Sequence, residues 1–154
     1  MRLTKRPIKL RKIEGMEGKY EVLENIEYYN GLVVPKSFIT DLASIPKLFH
    51  GIIGVPEDFD EEGILHDFLY SKYNDYGINK ETADKIFYQS LLLNEVDETV
   101  AYLMFKAVDA FGRPHWEKKI FTEQPYEKVA MIDHTKEHKE YQKKMKELLG
   151  EWYV

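Results

Sequence analysis

The sequence contains no cysteine among its 154 residues. This absence excludes thiol catalysis, zinc sites built on thiolates and a disulfide framework, and it fits a reducing compartment. The chain also lacks any apolar run near the roughly 18 residues that a membrane-spanning helix needs, and no apolar segment of a signal peptide follows its basic residues 1–12. The net charge of −5 disfavours a protein that coats nucleic acid, because such proteins are usually basic. We therefore predict no membrane span, no signal peptide and no nucleic-acid partner.

What the chain does contain is enough apolar material for one core. Hydrophobic residues make up 44% of the sequence and charged residues 32%, and aromatic rings are abundant, with 11 tyrosines and 8 phenylalanines. A chain of this length and composition typically forms one domain. We predict a single α+β domain over residues 1–132, with a small antiparallel sheet over 6–40 and a helical core over 44–112. A charged helical arm is predicted over 133–154.

The N-terminal part of the chain shows strand and turn patterns. Its clearest signal is the segment Ile26–Val34, in which Asn30 and Gly31 separate two short apolar runs. Asn-Gly permits positive φ at both central residues, which a type I′ hairpin turn requires. We therefore predict a β-hairpin with this turn. The basic segment near the N-terminus is predicted to be an edge strand, because charge alternates there with apolar residues. Extended segments are predicted at residues 2–12, 19–24 and 38–40.

Three later segments carry apolar residues at helical spacing. They are Glu61–Tyr73, Lys80–Leu93 and Asp97–Phe111. A polar turn joins the first two, which predicts an antiparallel helical hairpin with Asn79 as the N-cap of its second helix. Apolar residues nearly encircle the third segment, which predicts a core helix that Gly112 and Pro114 bring to an end. An irregular aromatic stretch at 116–126 and a charged helix at 135–149 are predicted to follow.

A histidine and an aspartate, His66 and Asp67, lie side by side on the first predicted helix, among apolar residues. Tyr70 lies one turn after His66, so its hydroxyl can reach the same opening. In an antiparallel hairpin, Asp84 lies at nearly the same distance from the turn as His66 does. A carboxylate that accepts from one ring nitrogen fixes the tautomer and leaves the other nitrogen as a base for water or a hydroxyl. We therefore predict His66, Asp84 and Tyr70 as catalytic residues.

Asp67 points to the neighbouring side of the same helix, because adjacent helical residues diverge by about 100°. In that position it can hold a hard cation, and Asp41 with nearby main-chain carbonyls can complete an oxygen site of the kind that calcium prefers. Asp41 and Ser44 have an alternative role, since Asp and Ser at a strand-to-helix junction cap exposed backbone donors. Ser44 is disfavoured as a nucleophile because no glycine-flanked turn surrounds it.

Each predicted site residue also has a purely structural interpretation. A lone histidine on an apolar helix, such as His66, is commonly a hydrogen-bonded core residue. An aspartate in the first turn of a helix, such as Asp84, complements the helix dipole, and Asp67 alone can be a surface charge. The joint pattern favours a site, because perturbed groups cluster at functional sites. The remaining histidines are not assigned to it: His50, His115, His134 and His138.

Two segments in combination resemble a known family. They are Thr-Asp-Leu-Ala-Ser-Ile-Pro at residues 40–46 and Leu-His-Asp-Phe-Leu-Tyr at 65–70, and further similarity follows at 83–87 and 107–112. They resemble the domain of unknown function numbered 1353, over roughly Gly31 to Trp116. Because that family is found in tailed bacteriophages and prophages, the resemblance implies a phage-encoded protein, located in the virion or in the cytoplasm of the bacterial host.

The pattern His66-Asp67-x-x-Tyr70, followed by an aspartate at 84, is also similar to the active-site helices of secreted phospholipases of the A2 type. In those enzymes the histidine is the base, the adjacent aspartate binds calcium and the later aspartate orients the histidine. The resemblance implies these roles for His66, Asp67 and Asp84, and it implies carbonyl ligands at Asp41 and Leu42. The chain departs from those enzymes because it has no disulfides and no glycine in residues 41–45.

Three functions are therefore open at the level of sequence. The first is a hydrolase that uses a His66–Asp84 dyad, with calcium as its cofactor, on an ester or amide of lipid or cell wall. The second is a virion component, associated with tail or baseplate, whose basic N-terminal strand and charged C-terminal helix bind other phage proteins. The third is a small binding protein that counters host defence through its tyrosine-rich opening at 70, 73 and 76.

Overall fold

The computed structural model describes residues 3–42, 59–71, 74, 78–118 and 143. Within these residues, short strands come first and helices follow, which confirms the predicted α+β class. The strands are β1 (Leu10–Lys12), β2 (Tyr20–Val22), β3 (Ile26–Glu27), β4 (Val33–Val34) and β5 (Ile39–Thr40). The helices are α1 (Asp60–Tyr70), α2 (Lys80–Leu93), α3 (Glu98–Phe111) and α4 (Arg113–Lys118).

Strands β1, β2 and β5 form an antiparallel sheet in that spatial order. Leu10 lies opposite Val22, and Tyr20 lies opposite Thr40. The side chains of Tyr20 and Val22 are buried on the core side, which period-2 alternation in a strand requires. Strand β1 lies at the edge of the sheet, as its alternating charge predicted, and its last two residues are exposed.

Strands β3 and β4 form the predicted hairpin, but the prediction of a type I′ turn is wrong. The Tyr28 N–H donates to the carbonyl of Leu32 over 2.9 Å, so the loop has three residues rather than two. Gly31 has a φ of 88°, whereas Asn30 is not among the residues with positive φ. The reason is local, because the Asn30 side-chain oxygen accepts from the Leu32 N–H over 3.0 Å. That bond leaves the left-handed position to glycine alone, as in three-residue hairpin loops.

The N-terminal segment is held on helix α1 by one glutamate. Glu61 accepts from the Leu3 N–H over 3.0 Å with one carboxylate oxygen and from the Thr4 hydroxyl over 3.2 Å with the other. The Tyr28 hydroxyl donates to the Glu61 carbonyl over 2.6 Å. The start of the chain and the β3–β4 hairpin therefore both contact the first turn of α1, which fixes this helix against the strands.

Helix α1 begins one residue before its predicted start and ends at Tyr70, where Ser71 turns to extended backbone. Every residue from Glu62 to Tyr70 is buried. Gly63 allows this burial, because a Cβ atom at that position would lie 2.6 Å from the carbonyl oxygen of Leu42. The backbone at Leu42, just after strand β5, therefore passes directly over the backbone of α1. The last predicted residues of this helix, 72 and 73, lie outside the described residues.

The two following helices begin at side-chain caps. The Asn79 side chain accepts from the Thr82 N–H over 2.8 Å, which confirms the predicted cap of α2. Asp97 accepts from the N–H groups of Thr99 and Val100, so it caps α3 rather than forming its first turn. Such caps satisfy backbone donors that have no partner within the helix.

Helix α3 is less buried than its apolar sequence predicted. Within the described residues, its buried positions are Ala101, Met104 and Phe105. By contrast Tyr102, Leu103 and Phe111 are exposed, Phe111 by 60% of its surface. The predicted third core helix is therefore present, and it packs on α2 through one face. Its buried face and the second half of α2 form a separate apolar cluster around Phe87, Tyr88 and Leu91.

Gly112 ends α3 as predicted, but not by a left-handed turn. Its φ is −80°, and α4 begins at the next residue, with Pro114 in its first turn. The prediction of irregular chain from Trp116 is therefore wrong up to Lys118. A glycine is needed at 112 for space, because a Cβ atom there would lie 2.5 Å from the Tyr70 hydroxyl.

The main core lies between the strands and helix α1, where the buried apolar residues of both meet. Trp116 of α4 packs against the rim of this core. Among the described helices, none combines the length and apolarity that crossing a bilayer requires. The predicted helix capped by Ser44, the stretch 119–132 and the arm 133–154, apart from residue 143, lie outside the described residues.

Candidate functional site

Helices α1 and α2 bring together the three residues that were predicted as catalytic. Nε2 of His66 lies 2.8 Å from Oδ1 of Asp84, and the Tyr70 hydroxyl donates to the same oxygen over 2.6 Å. The helices run antiparallel, since Glu62 near the start of α1 meets Asn94 at the end of α2. His66 and Tyr70 are one turn apart on α1, so both face the same point on α2. The predicted hairpin is confirmed, and so is the proximity of these side chains.

A fourth residue, Lys80, completes this arrangement, and we call His66, Tyr70, Lys80 and Asp84 the polar cluster. The Lys80 ammonium donates to Oδ2 of Asp84 over 2.6 Å. It also lies 3.3 Å from the carbonyl oxygen of Asp109 and 3.5 Å from that of Val108, in the last turn of α3. Each member of the cluster exposes 5% or less of its surface. The cluster is therefore a buried network with one carboxylate at its centre.

The hydrogen bonds of the cluster decide its charges. Burial alone would raise the pKa of Asp84, but the bonds from His66, Lys80 and Tyr70 outweigh it, so the pKa lies below its usual value. Burial, together with the negative charge of Asp84, raises the pKa of Tyr70. Asp84 is therefore a carboxylate at neutral pH, and Tyr70 is a neutral hydroxyl that donates to it.

The charge of Asp84 fixes the tautomer of a neutral His66. An ionised carboxylate has no proton to give, so Nε2 carries the hydrogen in the bond to Asp84. The lone pair of the neutral ring then lies on Nδ1. Nδ1 makes no hydrogen bond to a described residue.

Asp67 faces a different direction from His66, as predicted. Its Oδ2 accepts from the Thr40 hydroxyl over 2.5 Å and from the Asp41 N–H over 3.0 Å. The Thr40 oxygen in turn accepts from the N–H of Leu42 over 3.0 Å. Leu42 is itself held at a φ of 60°, which is unusual for a branched residue. Asp67 therefore anchors the end of β5 to helix α1.

The three residues predicted for a calcium site lie close together, but their donors and acceptors are arranged differently. The Asp41 carboxylate lies 3.7 Å from the Lys19 ammonium, and only its backbone N–H meets Asp67. The carbonyl of Leu42 faces Gly63. In the described part of the chain, no three His, Cys, Asp or Glu side chains converge as cation ligands. A cation needs several oxygens, whereas two hydrogen-bond donors converge on Asp67, so the described residues do not fit calcium at that oxygen.

The other candidate residues lie apart from the cluster or outside the described residues. His50, His134, His138 and Ser44 belong to the latter group. His115 lies in α4, and its side chain is not described. Its neighbour Trp116 packs edge-on against Tyr70, with ring centroids 5.3 Å apart. Through this contact, α4 packs against one member of the polar cluster.

Lys80 is the member of the cluster that the sequence did not reveal. One signal was present: a lysine at the first position of a helix opposes the helix dipole, which favours anions there. That position needs a compensating contact, and the carbonyls at the end of α3 supply it. Thr40 was also missed as a partner of Asp67, because no sequence spacing relates a strand residue to a helix 27 positions later.

Comparison with known proteins identifies the family. A family model described as "Protein of unknown function (DUF1353)" matches residues 19–108, which is more than half of the chain. The match includes strands β2 to β5, helices α1 and α2, most of α3 and all four members of the polar cluster. No curated protein and no solved structure matches the chain. The chain therefore belongs to the DUF1353 family.

Proposed function

We propose that this protein is a phage-encoded hydrolase in which His66 acts as the general base. The observation that carries the proposal is the 2.8 Å contact between Nε2 of His66 and Asp84, which directs the lone pair of the neutral ring to Nδ1. A histidine oriented in this way by a buried carboxylate is the usual base for activating water or a hydroxyl. The substrate class that we propose is an ester or amide of lipid or cell wall.

The proposed reaction uses the residues of the polar cluster in separate roles. Nδ1 of His66 takes a proton from a water molecule, and the resulting hydroxide attacks the carbonyl carbon of the substrate. The proton then passes from the imidazolium to the leaving group as the ester or amide bond breaks. Asp84 stabilises the imidazolium and holds the ring, while Tyr70 and Lys80 hold Asp84. No step of the proposal passes through a metal ion, and Oδ2 of Asp67 is used to accept from the Thr40 hydroxyl and the Asp41 N–H.

Replacement of the base tests the proposal. The full-length protein is assayed on a short-chain nitrophenyl ester, phosphatidylcholine vesicles and peptidoglycan fragments. We expect wild-type turnover of at least one substrate, and a loss of about 10²–10⁴-fold in His66→Asn, as is typical when a general base is removed. His138→Asn, the same change at a histidine outside the described residues, should keep full activity.

Two outcomes would contradict this hydrolase. One is undiminished turnover by a folded His66→Asn protein, with folding checked by circular dichroism. The other is the absence of wild-type turnover on all three substrates. A loss of activity that His138→Asn shows equally would point to a general effect of the substitution rather than to the base.

The exposed face of α3 favours a second candidate, a non-enzymatic binding or virion protein. Tyr102, Leu103 and Phe111 leave about half of their surfaces in solvent. Groups of exposed apolar residues are typical of protein contacts. The edge strand β1 offers a further surface for pairing with another chain. Under this proposal the protein is bound to phage tail or baseplate components, or to a host defence protein.

Substitution on this face distinguishes the two candidates. The side chains of Leu103 and Phe111 make none of the hydrogen bonds of the polar cluster, so Leu103→Glu and Phe111→Glu should leave hydrolysis intact. If the protein is a virion component, both variants should be missing from purified particles of the encoding phage while His66→Asn is retained. Particles that contain both glutamate variants at wild-type levels would contradict binding through α3.

A further inference from the structure

Lys80 is a buried cation at the start of helix α2, and its counter-charge, Asp84, lies one turn later in the same helix. It is the first residue of α2, where the helix dipole repels a cation, yet it exposes only 3% of its surface. A buried lysine without partners is costly. Here its ammonium meets Asp84 and two carbonyls of the last turn of α3, so the cost is offset by acceptors from two helices.

The bonds of Lys80 restrict the Asp84 carboxylate. Oδ1 accepts from His66 and Tyr70, whose side chains come from α1. Oδ2 accepts from Lys80, whose ammonium also contacts two carbonyl oxygens of α3. Because α1 side chains hold one oxygen and Lys80 holds the other, the carboxylate has one orientation in its plane. Without Lys80, Oδ2 would be a buried acceptor without its charged donor, and rotation of the carboxylate would compete with its bond to His66.

We propose that Lys80 is a positioning residue, which locks the Asp84 carboxylate so that the His66 ring keeps its proton on Nε2 and presents Nδ1. The C-terminal turn of α3 thereby helps to orient an imidazole on α1. The importance of this lock for catalysis rests on the proposed hydrolase, but the lock itself is a property of the hydrogen bonds and can be measured without turnover.

Nuclear magnetic resonance of the full chain labelled with ¹⁵N-histidine tests the lock. His66→Asn assigns the His66 signals. We expect the wild-type protein to show the proton on Nε2 and slow exchange of that proton with water. Lys80→Met should exchange it at least about tenfold faster, because one charge-assisted hydrogen bond that orients its acceptor has been lost. Lys80→Arg, which keeps the charge and the donors, should restore slow exchange.

The controls separate this inference from a general loss of structure and from the hydrolase. Lys106→Met removes an exposed lysine that lies over the Tyr102 ring, and it should leave the His66 signals unchanged. If Lys80→Met does not fold, Lys80→Gln is used in its place. The glutamine side chain is shorter than that of lysine and carries a neutral donor instead of a charged one. A wild-type proton on Nδ1, or exchange in a folded variant as slow as in wild type, would overturn the inference. Where turnover is measurable, Lys80→Met should lower kcat more than it changes KM, whereas missing wild-type turnover contradicts the hydrolase alone.

Discussion

Two buried carboxylic acids lie at opposite ends of the interface between α1 and α2, and their surroundings differ. Asp84, near the turn, accepts hydrogen bonds from a histidine, a tyrosine and a lysine. Glu62, at the far end, accepts from the side-chain amide of Asn94 over 2.7 Å. Both expose 2% or less of their surface. The donors differ in charge, because a lysine ammonium contacts Asp84 and a neutral side-chain amide contacts Glu62.

The pKa values of the two acids are shifted in opposite directions. Burial raises the pKa of Glu62 to about 7, and the neighbouring charges of Glu61 and Asp60 add to the increase, while Asn94 opposes it. The pKa of Asp84 is lowered, because its three donors outweigh burial. The ionised form is thus favoured at Asp84, where His66, Lys80 and Tyr70 donate to the acid. At Glu62 the hydrogen bonds of its backbone and of Asn94 do not outweigh burial, so the pKa stays raised.

The largest effect on stability is expected when the Asp84 carboxylate is removed. Asp84→Leu leaves the Lys80 ammonium buried without a counter-charge, so the free energy of unfolding should fall by about 3–5 kcal/mol. Urea denaturation at pH 7 measures it. The double variant Lys80→Met/Asp84→Leu removes both charges and should be more stable than Asp84→Leu alone. A double variant that is even less stable than Asp84→Leu would show that the unpaired charge of Lys80 is not the cause of the lost stability.

At the far end, the opposite result is expected. A raised pKa means that the folded state binds more protons, so stability falls as the pH rises from about 4.5 to about 7 and stays lower above that. Glu62→Gln removes this loss, and it should stabilise the protein by about 2–3 kcal/mol at pH 8.5. Most of the gain should disappear at pH 5.

Thermal or urea unfolding at both pH values measures this gain. Glu24→Gln, at an exposed residue paired with Lys9, is the matched control and should change stability little at either pH. An equal effect of Glu62→Gln at pH 5 and pH 8.5 would mean that Glu62 does not titrate in this range.

The space around the polar cluster can be tested at Gly112. A methyl group at this position would displace the Tyr70 hydroxyl, and Gly112→Ala should cost about 2 kcal/mol in the free energy of unfolding. In a Tyr70→Phe background, part of this cost should vanish, because the closest tyrosine atom is absent. Additive effects of the two changes in urea denaturation would show that they do not interact.

The smallest effect is expected at Asp67, beside the cluster. Asp67→Asn keeps an acceptor for Thr40 and Asp41 but loses the charge, so the cost should be about 1 kcal/mol. The predicted calcium site is checked in the same thermal unfolding experiment. Calcium that raises the melting temperature of wild type but not of Asp67→Asn would establish Asp67 as a ligand, and equal shifts would contradict it.

Local chemistry made much of the fold predictable. Asn79 before an amphipathic segment predicted its helix cap, because an N-cap depends on residues three positions apart. The hairpin at Asn30 and Gly31 was predicted for the same reason, although the number of loop residues was not. The hydrogen bond from the Leu32 N–H to the Asn30 side-chain oxygen competes with the expected turn, and the dipeptide alone does not reveal that competition.

The residues of the site were predictable where helical spacing relates them, and they were not predictable where they depend on contacts with distant segments. His66 and Tyr70 share a face because they are one turn apart, and the antiparallel packing of α1 and α2 places Asp84 opposite them. The exposure of α3 was not predictable, since apolar residues all around a helix do not show which face meets a neighbour. Nor were the roles of Lys80, Gly63 and Gly112, each of which depends on backbone from a distant segment.

The sequence by itself determined the class of the fold, the approximate positions of the strands, the Asn79 cap and three members of the polar cluster, because helical periodicity, alternation and capping depend on near neighbours along the chain. Only the tertiary structure decided the charge of the Asp84 carboxylate and the orientation of the His66 ring. A carboxylate is held ionised, and a neutral imidazole is given its tautomer, by hydrogen bonds among buried side chains. In this protein those bonds come from three helices that the chain brings together only when it folds.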